Sequence, residues 1–543
     1  MKFQLDKNLH LPVISGLFLC LAWPPLPLVP FLFVALVPLF LMEKNIAESD
    51  KKDKASSVFR HSFLSFFIFN LFTIYWIYNA SFFGAVVAVF LGSLLMSLPF
   101  VLYHRIKKLV SLKTALTAFV IFWLAYEYLH ANWDLNFPWL MLGNGFANYH
   151  SWIQWYEYVG TYGGSLWVLV VNVIAFQLII KIRNAAKQIR GHPYSHLLAP
   201  ILQIVFIILL PILFSLTIYH QYEEKVNEAN IVVVQPNIDP YGEKFGSMSA
   251  KDQLARLISL SKKAAKPNTE FFIWPETALT KNVDEDDIRN DSFIQEIKKF
   301  LLEYKNGNLI TGASTYRSYP ENVTTTARKY EDGNGFYDVF NTAIFLENSE
   351  RIQLYHKSKL VPGVEQMPFP NALKFLGPLA IDLGGSMGSL GKEKKPVVFY
   401  AQSGIGVAPI ICYESIYGEY VTDYVKQGAQ LLFIITNDGW WGNTSGFKQH
   451  ALYAKLRAIE TRRSIARSAN TGISSVINQR GDVLFETEWW TQASFAATLN
   501  LNDEITFYVK YGDWIPKLAS IFAAITILAM LVRRFYIKLY PGK

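Results

Sequence analysis

Apolar runs long enough, or nearly long enough, to cross a bilayer recur at about residues 9–23, 26–42, 61–78, 82–103, 114–130, 163–180, 197–218 and 515–532. Roughly 20 apolar residues cross the hydrocarbon core as a helix. Within that core a lipid-facing chain must satisfy its own backbone, which leaves only helices and closed barrels. The pattern therefore commits the chain to a helical membrane part of about eight spans, with one long interruption before the last. Composition agrees, with 51% hydrophobic and only 17% charged residues. The first two runs are short and separated by Pro24, Pro25 and Pro27, so their ends are the least defined. A cleaved signal peptide is the competing reading of the first run. That run lacks a small-residue cleavage site, and a second apolar run follows at once.

Basic residues sort by side. Lys2 and Lys7 precede the first run, and Lys44, Lys51, Lys52, Lys54 and Arg60 lie between the second and third. Arg105, Lys107, Lys108 and Lys113 lie between the fourth and fifth. Lys181, Arg183, Lys187 and Arg190 separate the sixth and seventh, and Arg533, Arg534, Lys538 and Lys543 follow the last. Residues 79–81 and 131–162 hold no Lys or Arg. Positive charge stays on the cytoplasmic side, so both termini are expected there and residues 220–510 on the far side. Residues 221–510 carry 31 Lys+Arg against 34 Asp+Glu, a net of −3, which leaves +11 of the overall +8 in the remainder. The basic character belongs to the membrane part. The interruption has no basic footprint for nucleic acid.

The connector at 131–162 is rich in aromatic residues, among them Phe137, Trp139, Phe146, Trp155 and Tyr156. Two readings stand: an interfacial aromatic belt, or a wall for lipid entry. Glu127 is an intramembrane carboxylate near the end of the fifth run, to be read either as functional or as solvated and hydrogen-bonded. After Tyr219 short branched runs alternate with amphipathic stretches. Strands are expected at 231–234, 271–274, 308–311, 339–346, 351–356, 397–400, 405–411, 431–436, 464–467, 474–478 and 483–486. Helices are expected at 249–265, 291–304, 417–427 and 446–463. This alternation predicts an α/β domain with helices layered on sheet.

One of those runs, 406–411, ends abruptly at Cys412, the only cysteine outside the apolar spans. Open α/β sheets place their sites at such carboxyl ends of strands. An inert buried thiol is the plainer reading of a lone cysteine. Two further strand ends change the balance: Glu276 follows the strand at 271–274, and Lys357 follows that at 351–356. A thiol nucleophile needs a base, which a carboxylate can supply, and an oxyanion needs a positive group, which a lysine can supply. His356 and His450 are the nearest histidines by sequence to a base's role.

Trp274-Pro275-Glu276-Thr277, Tyr355-His356-Lys357-Ser358-Lys359-Leu360-Val361-Pro362 and Ile411-Cys412-Tyr413-Glu414 resemble the Glu-Lys-Cys triad of the nitrilase superfamily. With the apolar runs before and after, the whole chain resembles the family of bacterial apolipoprotein N-acyltransferases. Supporting stretches are 234–238, 436–442, 456–460 and 137–140. The resemblance implies an α-helical membrane bundle at 1–219, an α/β nitrilase-like domain (an α-β-β-α sandwich) at 220–508, and a last helix with its tail at 509–543. It also implies transfer of an acyl chain from a membrane phospholipid, through a thioester on Cys412, to the α-amino group of a diacylated apolipoprotein. Glu276 would then be the general base, Lys357 the oxyanion lysine, and Glu365 a supporting carboxylate. Tyr413, Glu414, Phe245, Asn437 and Trp440 would support the site or bind substrate. No metal or cofactor is implied, and the location would be the bacterial inner membrane with the domain on its periplasmic face. The chain departs from the family's usual Pro-Phe-Gly-Glu at Pro362-Gly363-Val364-Glu365, has Phe245 where tryptophan is common, and has Leu135-Asn136 where Thr-Gly is common.

Residues 366–391 combine apolar side chains, such as Phe369, Phe375 and Leu376, with glycines at 384, 385, 388 and 391, and are expected to form a lid. The alternative is an ordinary loop packed on its own domain. Two other functions remain open at this point. One is a membrane-tethered thiol amide or nitrile hydrolase, which the triad permits. The other is a transporter or lipid-binding scaffold with a degenerate enzyme domain, against which stands the lack of serial intramembrane charges or paired broken helices.

Overall fold

The computed structural model describes residues 9–185, 198–369 and 389–539. The basic residues Lys2, Lys7, Lys187, Arg190 and Lys543, and most of the expected lid, including Phe375 and Leu376, lie outside the described residues. The chain divides into two units. One comprises residues up to 78, 82–220 and from 513 onward; the other comprises 79–81 and 221–512.

Among the described residues of the first unit, seven helices are long and apolar enough to cross a membrane. They are Val29–Glu48, Lys54–Ile74, Phe82–Ile106, Leu112–Ala131, Tyr156–Asn184, Leu198–Gln221 and Trp514–Tyr536. The first expected span is shorter, a helix of 12 residues at His10–Leu21, about 18 Å long at the usual rise per residue. The second runs past its expected end at 42. Glu43 would halt it if exposed to lipid, but its carboxylate is buried against His104 Nδ1 at 2.7 Å and Lys107 Nζ at 2.5 Å. A paired charge lets the helix continue.

Glu127 takes the hydrogen-bonded reading. It is buried and accepts from Trp123 Nε1 at 3.0 Å and from the Leu142 amide at 2.9 Å, which fastens the following connector to its helix. Of the aromatic connector, Trp139, Phe146 and Tyr156 are buried. They serve interior packing rather than a belt. In the helix Leu198–Gln221, Pro211 has no amide proton for the Ile207 carbonyl. Trp167 Nε1 donates to that carbonyl at 2.8 Å.

The strands of the second unit, in chain order, are β1 (Glu228–Gln235), β2 (Phe271–Ile273), β3 (Leu279–Asp284), β4 (Asn308–Tyr319), β5 (Arg328–Lys329), β6 (Phe336–Glu347) and β7 (Ile352–His356). They continue as β8 (Phe399–Tyr400), β9 (Gly406–Ile411), β10 (Leu431–Thr436), β11 (Ser464–Ala469), β12 (Ser475–Ile477), β13 (Val483–Glu486) and β14 (Ala493–Asn500). One sheet has the order β14-β1-β2-β4-β6-β5, with β3 on β4 and β7 on β6; the other has the order β13-β12-β11-β10-β9-β8. The period of two decides which face each residue covers. Val232, Val234, Phe272 and Trp274 join Leu254, Leu257, Ile294 and Ile297 of the helices Ala250–Ala264 and Ser292–Leu301. Their neighbours Ile231, Val233, Phe271 and Ile273 pack with β9 and β10 between the sheets. Every residue of β9 and β10 is buried, the uninterrupted apolar pattern of parallel strands covered on both faces. Helices Gly418–Lys426 and Ser445–Thr461 pack against the second sheet. The layers are therefore helix, sheet, sheet, helix.

Candidate active site

Cys412 sits where β9 leaves the core. Its φ is +50°, a left-handed conformation that costs a residue with a Cβ roughly 1–3 kcal/mol and persists only where the surroundings enforce it. Glu414 is part of that enforcement. Fully buried, its carboxylate accepts from the Ile411 amide at 2.9 Å, the Ser358 amide at 2.7 Å, the Lys359 amide at 3.2 Å and the Tyr355 hydroxyl at 2.6 Å. One side chain thus ties the turn after β9 to the turn after β7, which carries Lys357. Glu414 holds the frame of the site.

Glu276 is presented by the turn after β2. Gly312 on β4 makes room for it, because a Cβ there would lie 2.4 Å from the Thr277 amide nitrogen and 2.6 Å from Glu276 Cα. Lys357 Nζ lies 3.2 Å from Glu276 Oε1 and 2.9 Å from Glu365 Oε1. Asn341 Nδ2 donates to the same two oxygens, at 2.8 and 3.0 Å. The Asn437 amide donates to Glu276 Oε2 at 3.1 Å, and the Val361 amide to Glu365 Oε2 at 2.8 Å. Two carboxylates therefore flank one ammonium, with an asparagine amide shared between them.

Electrostatics follow from this arrangement. Burial raises the Glu276 carboxyl, but the Lys357 ammonium and the Asn341 amide outweigh it and hold the group below the usual glutamate range. Burial also works against the Lys357 ammonium, yet Glu276 and Glu365 reverse this and keep it charged well above the usual lysine range. Burial pushes the Cys412 thiol up, Glu276 adds to the effect, and Lys357 offsets only part of it. The resting site is a neutral thiol beside an ionised carboxylate and an ammonium. It can take a proton from sulfur and meet a developing oxyanion with positive charge.

The remaining expected residues are placed as follows. Tyr413 is buried, with its ring 5.4 Å from that of Tyr417. Asn437 contributes its amide to Glu276, and its side-chain oxygen accepts from Asn470 Nδ2 at 3.2 Å. Trp440 packs edge-on against Tyr241, and Phe245 is exposed. His356 pairs with Glu285 at 2.7 Å, and His450 lies behind Cys412 on its carbonyl side. Two functional neighbours escaped the sequence reading. Asn341 lies inside a largely apolar strand, where a lone half-buried amide was the available signal. Lys244 Nζ donates to the Glu276 carbonyl at 3.3 Å, and burial lowers its ammonium to about 8 against the pull of Glu276.

Known families match both parts of the chain. Residues 15–174 match the apolipoprotein N-acyltransferase N-terminal domain, and residues 230–507 match the carbon-nitrogen hydrolase family. The apolipoprotein N-acyltransferase of Chlorobaculum tepidum is 30% identical over 98% of this chain and 98% of its own. That of Geobacter metallireducens is 26% identical over 97% of this chain and 96% of its own. Nit3 of Saccharomyces cerevisiae, a nitrilase-superfamily structure, is 15% identical with a TM-score of 0.36, covering 50% of this chain and 90% of its own. A multi-pass helical unit, a carbon-nitrogen hydrolase unit between its last two spans, and relatives matched end to end lead to one assignment: the chain belongs to the apolipoprotein N-acyltransferase family.

Proposed function

We propose that this acyltransferase moves a fatty acyl chain from a membrane phospholipid onto Cys412, and from there onto the α-amino group of a diacylated apolipoprotein. The observation that carries the reading is the neutral, buried thiol held in a left-handed turn beside ionised Glu276 and Lys357. Attack on the phospholipid ester is coupled to loss of the thiol proton to Glu276, so no free thiolate need accumulate at a site that disfavours it. Negative charge passes to the ester oxygen, where Lys357 meets it. Glu276 then returns its proton to the departing alcohol of the lysophospholipid. In the second half the amine attacks the thioester, Glu276 takes its proton, and sulfur leaves and is reprotonated. Splitting the transfer lets donor and acceptor use one site in turn. Glu365 and Asn341 keep Lys357 and Glu276 in register through both halves.

Acceptor identity separates this reading from a hydrolase. With phospholipid vesicles and a peptide bearing a diacylglyceryl cysteine, acyl should appear as an amide on the peptide's α-amine. Release of free fatty acid at the same rate with and without peptide would instead assign the chain to hydrolysis. The charge pattern supports a periplasmic placement of residues 221–512. Introduced by Asp286→Cys, a thiol should react with a membrane-impermeant reagent in cells stripped of their outer barrier, whereas one introduced by Lys52→Cys should not. The reverse labelling would invert the topology.

A further inference from the structure

Behind the nucleophile lies a connected set of buried side chains. Thr436 ends β10, and because Ile435 pairs with Ile411 in parallel register, it lies alongside Cys412. Its hydroxyl donates to Asp438 Oδ1 at 2.8 Å, and its place beside the thiol offsets part of the rise that burial imposes on Cys412. Asp438 also faces His450 Nδ1 at 3.0 Å and Arg467 Nη2 at 2.5 Å. His450 Nε2 lies 3.2 Å from the Cys412 carbonyl oxygen, and the Ser415 hydroxyl donates to that oxygen at 2.8 Å. The same Nε2 lies 2.9 Å from the Ser415 hydroxyl, so imidazole, serine and carbonyl form one cluster. The contacts run from Thr436, alongside Cys412, through Asp438 and His450 to the carbonyl of Cys412. Thr436, Asp438, His450 and Arg467 are all essentially inaccessible to solvent.

A hydroxyl has one proton and two lone pairs. With its proton on Asp438, Thr436 can offer sulfur only a lone pair, which suits a neutral thiol. Asp438 keeps Arg467 and His450 if that proton turns away, so the carboxylate is not left bare. Its carboxyl, which burial alone would raise, is held far below the usual range by these two partners. We propose that Thr436 is a further catalytic residue, whose hydroxyl turns from Asp438 to the sulfur whenever Cys412 carries negative charge and so stabilises sulfur as it leaves the thioester. This rests on the reading of Cys412 as the nucleophile. In that step the amine nitrogen bonds to the acyl carbon and the carbon–sulfur bond breaks with its electron pair going to sulfur. The amine proton passes to Glu276 and then to sulfur. Thr436 contributes a hydrogen bond and keeps its own proton.

The test uses the full-length protein with Thr436→Val, Thr436→Ala and Thr436→Ser. Alkylation of Cys412 by iodoacetamide at about pH 8, located by peptide mass, needs no lipid and therefore judges Thr436 even if Cys412 never takes an acyl group. Loss of a donor equivalent to about one pKa unit cuts the thiolate tenfold, partly offset by the greater nucleophilicity of a more basic sulfur. Thr436→Val should thus alkylate about threefold more slowly and transfer acyl to amine about tenfold more slowly. Thr436→Ala, which removes the hydroxyl without crowding, should match it, so a folding defect in the valine variant leaves the test intact. Thr436→Ser should restore both rates to within about twofold of wild type. Alkylation at the wild-type rate in both hydroxyl-free variants, or a serine variant as slow as they are, would overturn the assignment.

Discussion

Glu276→Gln should slow single-turnover acylation of Cys412 by roughly 10²–10⁴-fold, the usual weight of a general base. Glutamine keeps the shape and can still accept from Asn341 and Lys357; it cannot take the thiol proton. The pH profile gives an independent check on the wild type. Burial would raise the Glu276 carboxyl, but Lys357 and Asn341 outweigh it, so its folded value lies below the ordinary one. The proton-accepting form therefore persists down through about pH 4.3, the unperturbed value, and acylation is lost only as pH falls through the lowered one. A rate that begins to fall well above the ordinary glutamate range would place the base elsewhere. Acylation within a few-fold of wild type in Glu276→Gln would remove Glu276 from the chemistry.

Lys357→Ala should fail in a different way. Both half-reactions develop an oxyanion, and loss of its positive partner is expected to slow each by about 10²–10³-fold. Removal of the ammonium also leaves Glu276 and Glu365 facing one another across Asn341, with oxygens that had shared Lys357. Two carboxylates sharing one site resist joint ionisation, so one of them gains a proton. The acid limb of whatever acylation remains should therefore move to higher pH, a shift that Glu276→Gln cannot produce. Rapid-quench acylation and transfer, each followed across pH, separate the two variants. Loss in only one half-reaction, with no movement of the limb, would contradict the role given to Lys357.

The residues proposed for the chemistry were legible because three strand ends each terminate an apolar run in a residue of distinct chemistry: Glu276, Lys357 and Cys412. Their supports were not. Asn341 reaches the site only because β6 pairs with β7, where Thr342 lies opposite His356 and the Asn341 carbonyl accepts the Lys357 amide at 2.8 Å. Thr436 acts through register between two parallel strands, which no local pattern reports. The closing strand β14 was missed, since Ala493–Asn500 is small and polar in composition and largely half-exposed, yet pairs along the whole of β1. The second membrane helix outran its apolar stretch because its neutralising partners, His104 and Lys107, lie about 60 residues away. Hydropathy reads neighbours in sequence, and these contacts are neighbours only in space.

The central claim is that Cys412 carries the acyl group between donor and acceptor. Its most direct test is the mass of the protein after incubation with phospholipid vesicles in the absence of acceptor peptide. One fatty acyl mass should be added, it should map to the peptide containing Cys412, and hydroxylamine or the diacylated acceptor should remove it. An acyl mass that maps to another peptide, or acyl transfer to the acceptor by Cys412→Ala at the wild-type rate, would contradict the account.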